Sequence, residues 1–175
     1  MDFYFFWHPQ FENIITMQVL VPESTVYTKG MCLRLAEKTG WSEEKMKTVI
    51  SEYLRYIALI MLWKQGKIAI QATPSHDIDE VWHNHMLFTR EYIQFCEKWN
   101  GEYIHHQPSY NADGSRPGGW NAHMTREENK AVLQKAWAET REAYNNVFGE
   151  NAPDTAWGTV GECCSGCICR SGVAG

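Results

Sequence analysis

Residues 74–108 read PSHDIDEVWHNHMLFTREYIQFCEKWNGEYIHHQP, and their pattern decides the fold class. Ile78, Val81, His85, Phe88, Tyr92, Phe95 and Trp99 recur at alternating spacings of three and four residues, the period of one helix face. The pattern predicts a helix running to about Trp99, stopped by Asn100-Gly101. Pro74 keeps the chain extended just before it, and Asp77 with Glu80 can serve as an N-cap pair.

The same stretch holds five of the seven histidines: His76, His83, His85, His105 and His106. Asp77, Asp79, Glu80, Glu91 and Glu102 lie among them, and imidazole with carboxylate suits first-row metal ions. Asp79 and His83 are one helical turn apart and share a face, with His76 two turns from His83. His83 and His85 are two residues apart, about 200° around a regular helix, so both cannot grip one ion. Either a π-bulge distorts the helix there, or one ring is a ligand and the other does something else. His105 and His106 follow the turn at Gly101, and on extended chain they point to opposite sides. A helix giving Asp79 plus His83 or His85, and a returning loop giving His105 or His106, would make three ligands with an open position. The plainer reading is a core His85, a solvated Asp79–His83 pair and a surface loop.

Outward from this segment the chain is helical. Ser24 to Thr39 reads as a first helix ending at Gly40, with Gly30 an uneasy fit in its first half. Ser42 caps a strong second helix whose stretch YIALIMLW is apolar nearly all round, the mark of a central buried helix. Lys67 to Thr73 alternates at period two and reads as a short extended piece. Beyond a Gly/Pro-rich loop over 109–121, Thr125 and Glu128 form a capping box that opens a helix closed by Gly149. No strand-and-helix alternation runs along the chain. The class is therefore mainly α, a single-domain bundle of about four helices over 1–157. It opens with an aromatic arm (FYFFW at 3–7, then an extended stretch over 14–21), and a flexible Gly/Cys-rich tail over 158–175 follows.

Composition narrows the function. At 175 residues with 44% apolar residues, the chain has ample material for one core. A net charge of −5 without a basic run argues against nucleic acid or an anionic membrane as partner. No apolar run is long enough to span a bilayer, and the N-terminus lacks the features of a signal peptide, so a cytoplasmic setting with reduced thiols is expected. No Gly-rich phosphate loop follows a strand, and no nucleophile triad can be assembled from spacing.

Cys32 and Cys96 fall in predicted helices and read as small buried side chains. Cys163, Cys164, Cys167 and Cys169 place four thiols in seven residues, too tight for a zinc ribbon with its two separated pairs. Such a cluster can bind Cu(I) or zinc, form disulfides, or be the substrate of a modifying enzyme; a tail with no specific role is the simpler alternative.

The run Asp79-x-Val81-Trp82-His83-x-His85-Met86, then Tyr92, Phe95-Cys96 and His105-His106-x-Pro108, resembles the glycine-rich domain-containing protein-like family. The likeness continues through Tyr144, Phe148-Gly149 and Pro153 to Trp157, roughly half the chain; bacterial relatives have tails rich in Gly and Cys. The resemblance points to Asp79, Trp82, His83, His85, Cys96, His105 and His106. Here the tail is a compact Cys cluster rather than a long repeat.

Two functional readings follow. In the first, Asp79, His83 or His85, and His105 or His106 bind a divalent first-row ion, zinc or iron. As an enzyme's centre it would activate water or oxygen, with Tyr92, Tyr103 or Glu80 moving protons. In the second, a helical body presents Cys163, Cys164, Cys167 and Cys169 to a tail-modifying enzyme or another protein partner for modification, cross-linking or metal loading.

Overall fold

The computed structural model describes residues 26, 28–70, 72–106 and 125–160. Among them lie six helices and no strand: α1 (Lys29–Thr39), α2 (Glu43–Lys64), α3 (His76–Leu87), α4 (Thr89–Asn100), α5 (Arg126–Phe148) and α6 (Asp154–Trp157). The aromatic arm, the extended stretch over 14–21, the loop over 109–121 and the four tail thiols lie outside the described residues.

The centre is α2. Ser42 caps it by accepting the Lys45 N–H at 3.2 Å, and Glu43 and Glu44 occupy the first turn, where negative charge suits the helix dipole. Tyr53, Leu54 and every residue from Tyr56 to Leu62 are buried, so this helix is enclosed on all sides. It packs against α1, α3 and α6.

Two expected elements differ. The first helix begins at Lys29 rather than Ser24, because Thr28 supplies the cap by accepting the Met31 N–H at 3.2 Å. Gly30 then sits in its first turn against Phe88, whose ring would lie 3.4 Å from a Cβ there. Residues 67–70 bend rather than extend, and the segment is fastened by the Thr73 N–H donating to Thr140 Oγ1 at 2.9 Å.

The largest difference concerns the long helix expected through Trp99. It breaks at Phe88 (φ −87°, ψ 66°), whose N–H turns back to the His85 carbonyl at 3.0 Å. The break folds α4 back beside α3. Trp82 Nε1 can thereby donate to the Tyr92 hydroxyl at 2.9 Å, a contact that a straight helix, rising about 15 Å over ten residues, forbids. With α6 as a separate turn, this corner raises the expected four helices to six.

Ser75, rather than the Asp77–Glu80 pair, caps α3. Its Oγ accepts the Ile78 N–H at 3.1 Å and donates to the Ala156 carbonyl at 2.5 Å. Asp77 instead pairs with Lys45 at 2.9 Å. The capping box of Thr125 and Glu128 opens α5 as expected. At the other end Trp157, fully buried, donates from Nε1 to Glu52 Oε2 at 2.8 Å and stacks edge to face with Tyr144. Beyond α6 the chain returns to the start of α3, where Val160 and Ser75 form an isolated antiparallel bridge.

Candidate metal centre

Asp79 lies in the first turn of α3, fully buried. One turn later His83 shares its face, with Nδ1 3.7 Å from Asp79 Oδ2. The third member comes from the returning chain. Gly101 ends α4 in the left-handed region (φ 76°), a conformation that costs glycine little, and the chain doubles back along α3. His106 Nε2 then donates to Asp79 Oδ1 at 2.9 Å. One ligand atom from each of Asp79, His83 and His106 lies within 4.8 Å of the other two. The imidazoles of His83 and His106 face each other with ring centroids 4.4 Å apart.

The returning segment is held by a relay of hydrogen bonds. The Tyr92 hydroxyl accepts from Trp82 Nε1 and donates to the carbonyl of buried Ile104 at 2.5 Å. Two residues on, the His106 ring rests against Trp82 at a centroid distance of 4.4 Å. Trp82, neighbour of His83 in sequence, therefore forms the wall of the site and anchors its third arm. Beside the site Glu80 pairs with Lys38 at 2.5 Å.

Burial lowers the pKa of His83; the nearby Asp79 charge opposes this, and His106 adds to it. A ring that resists protonation is what a metal ligand requires, since only neutral imidazole coordinates.

The remaining histidines go elsewhere. His85 is fully buried in the core, where its Nδ1 lies 3.0 Å from the Tyr53 hydroxyl and the rings of Tyr92 and Phe95 stand edge to face against it. Desolvation lowers its pKa to about 4, so it is neutral, and its Nε2 has no hydrogen-bond partner among the described residues. The helix stays regular around it, with His83 in the group of Asp79 and His106 and His85 in the core. His105 is exposed and leans on Tyr103 at a centroid distance of 4.8 Å. His76, also exposed, stands outside the cluster. Cys96 is buried beside Tyr92, in the core as expected.

Composition and periodicity left one cluster unnoticed. Glu52, Arg55, Tyr144, Glu150 and Trp157 form a second polar group: Arg55 donates to Tyr144 and Glu150 and lies 3.5 Å from Glu52. Its only trace in sequence is a charged Glu52 and Arg55 within the largely apolar run from Val49 to Trp63.

Fold and site together define an all-helical protein, among its described residues, whose Asp79/His83/His106 group could hold a metal ion. Residues 18–139 match the family model described as UCP032817-like, and the chain belongs to that family. Comparisons with curated proteins and with solved structures find no match. The family's description names no ligand or reaction.

Proposed function

We propose that this protein binds one divalent first-row ion, zinc or iron, through Asp79, His83 and His106. The observation that carries the reading is the convergence of two imidazoles, from separate segments, on a carboxylate with no exposure to solvent. A buried carboxylate is costly unless paired, and a bound cation would offset that cost. Two imidazoles and a carboxylate are a donor set used by zinc hydrolases and non-haem iron enzymes, which keep a further position open. Ligand bonds near 2.0–2.2 Å place donor atoms about 3–3.5 Å apart. From separations of up to 4.8 Å the group must therefore close by roughly 1.3–1.8 Å, within reach of side-chain rotation for His83, whose side chain is 38% exposed.

His85 and His105 are outside the ligand set in this reading: His85 steadies the core and His105 lies on the surface. The likeness to the glycine-rich domain-containing protein-like family supports the same motif. If the centre is catalytic, the open position would activate water or oxygen, with Glu80, paired with Lys38, as a candidate proton carrier. A cytoplasmic setting would keep the tail thiols reduced and available to a partner. What favours a role for Cys163, Cys164, Cys167 and Cys169 is the fastening of Val160 to Ser75, which brings the tail's origin to the helix that carries Asp79.

Metal analysis of protein prepared without a histidine tag tests the reading. The expected result is about one equivalent of ion per chain, reduced to background in an Asp79→Ala, His106→Ala double variant. A metal content near zero in the parent, or one unchanged in the double variant, would falsify it.

A further inference from the structure

We propose that Trp82, Tyr92 and Tyr103 form an electron path between solvent and an iron ion held by Asp79, His83 and His106, an inference that rests on the reading above. The path begins at a ligand. The His106 ring rests on Trp82 with the centroids 4.4 Å apart. Trp82 Nε1 donates to the Tyr92 hydroxyl at 2.9 Å, and the Tyr92 ring meets Tyr103 edge to face at a centroid distance of 5.1 Å. Trp82 and Tyr92 have no exposure to solvent, whereas Tyr103 is 38% exposed. These contacts carry a continuous line of aromatic rings from the buried centre to the surface.

Trp82 has a second aromatic neighbour, and that branch ends in the core. It runs through Tyr56 at 5.5 Å and Trp157 at 6.4 Å to Tyr144 at 5.5 Å, all of them fully buried. Loss of an electron makes a phenol strongly acidic, so a phenol that cannot release its proton keeps its electron as well. The Tyr92 hydroxyl faces Trp82 Nε1, the Ile104 carbonyl and the Cys96 thiol, whose pKa burial raises. None of these takes up a proton. Tyr103 is open to water, which does, and it is therefore the end of the path.

The path has a use only beside an ion that changes valence. Zinc does not, whereas two imidazoles and a carboxylate with open positions are a donor set for iron(II). With hydrogen peroxide as the oxidant the step balances. Peroxide takes one electron from iron(II) and one from Tyr103, the second relayed through Tyr92 and Trp82. The Tyr103 phenol releases its proton to solvent, and two protons from solvent convert the peroxide to two waters. Iron(III) and a neutral Tyr103 radical remain. The consequence is protective: an oxidising equivalent formed beside His83, His106 and Trp82 leaves for the surface instead of damaging them.

The test loads the full chain with stoichiometric iron(II) under nitrogen, measures the iron bound, adds peroxide and freezes the mixture rapidly for electron paramagnetic resonance. The parent is compared with Tyr103→Phe, with Trp82→Phe, with the Asp79→Ala, His106→Ala variant and with its own zinc-loaded form. The expected parent spectrum shows a tyrosyl radical, and the zinc-loaded form shows none. Tyr103→Phe should bind iron as the parent does and lose the tyrosyl signal, and its peptides should gain oxygen at Trp82 or His106 in mass spectra. Trp82→Phe should lose the signal while keeping iron; where it fails to fold, Tyr103→Phe decides. An iron-loaded parent with no tyrosyl signal overturns the path while leaving the Asp–His site standing. A signal of parent size in Tyr103→Phe, in folded Trp82→Phe, in the zinc-loaded parent or in the Asp79→Ala, His106→Ala variant also overturns it, since the radical would then arise elsewhere. No iron bound by the parent removes both readings.

Discussion

His106 Nε2 and Asp79 Oδ1 are 2.9 Å apart, although 27 residues separate them in sequence. Three turns of direction make that contact: the corner at Phe88, the reversal at Gly101, and the clamp that Tyr92 places on Ile104.

The clamp gives the first prediction. Tyr92→Phe removes the acceptor for Trp82 Nε1 and the donor to the Ile104 carbonyl, leaving two buried polar groups without partners. Urea denaturation should show a loss of about 2–4 kcal/mol. Metal affinity should fall by roughly tenfold or more, because His106 loses the support of its backbone. Unaltered affinity in a folded variant would show that His106 is placed by other contacts.

Removal of the ion should be visible in stability. An ion held at about a hundred times its Kd adds about 2.7 kcal/mol to the folded state. For a chain of this size that moves Tm by roughly 5–10 °C. Melting curves with and without chelator measure it, and coincident curves for metal-loaded protein would argue that ion and fold are not coupled.

Ser75 joins two elements through one hydroxyl, capping α3 and bonding to Ala156. Ser75→Ala should cost about 1–3 kcal/mol in chemical denaturation, against a few tenths for the same change at an exposed site. A cost within that small range would show that the neighbouring packing alone fixes the start of the helix.

Glu52 gives a pH dependence with a definite sign. Burial raises its pKa above the ordinary 4.5, outweighing the opposing hydrogen bond from Trp157 and the charge of Arg55. The folded chain thus holds this proton more tightly than the unfolded chain does. Its contribution to stability is present in full below 4.5 and is lost as pH rises through the folded value. Relative to Glu52→Gln, which keeps an acceptor for Trp157, the parent should lose stability as pH rises from 4.5 through the folded value. Parallel pH profiles for the two proteins would contradict this assignment.

Much of this architecture was legible in the chain itself, because its signals are local. Ser42, Gly40, Gly101, Gly149 and the Thr125–Glu128 box mark helix ends through groups within a few residues. The apolar face of α2 announces its burial in the same way. The corner at Phe88 carried no such mark. No glycine or proline stands there, no side chain caps α4, and the three-four stripe continues across the break. What stabilises the corner is tertiary, the Trp82–Tyr92 bond and the packing of Phe88 against Gly30. For that reason spacing could narrow the candidates to His83 or His85 and to His105 or His106, without choosing within either pair. The choice depends on how α4 and the returning segment fold over α3. The Glu52–Trp157 bond joins residues 105 apart, beyond the reach of any local pattern.

Calorimetric zinc titration of four single variants, His83→Gln, His106→Gln, His85→Gln and His105→Gln, separates ligand from bystander most directly. Binding at about one equivalent should weaken by an order of magnitude or more in the first two. It should persist in His105→Gln, and in His85→Gln wherever that protein remains folded. Equal affinity in the parent, His83→Gln and His106→Gln would contradict a centre at Asp79.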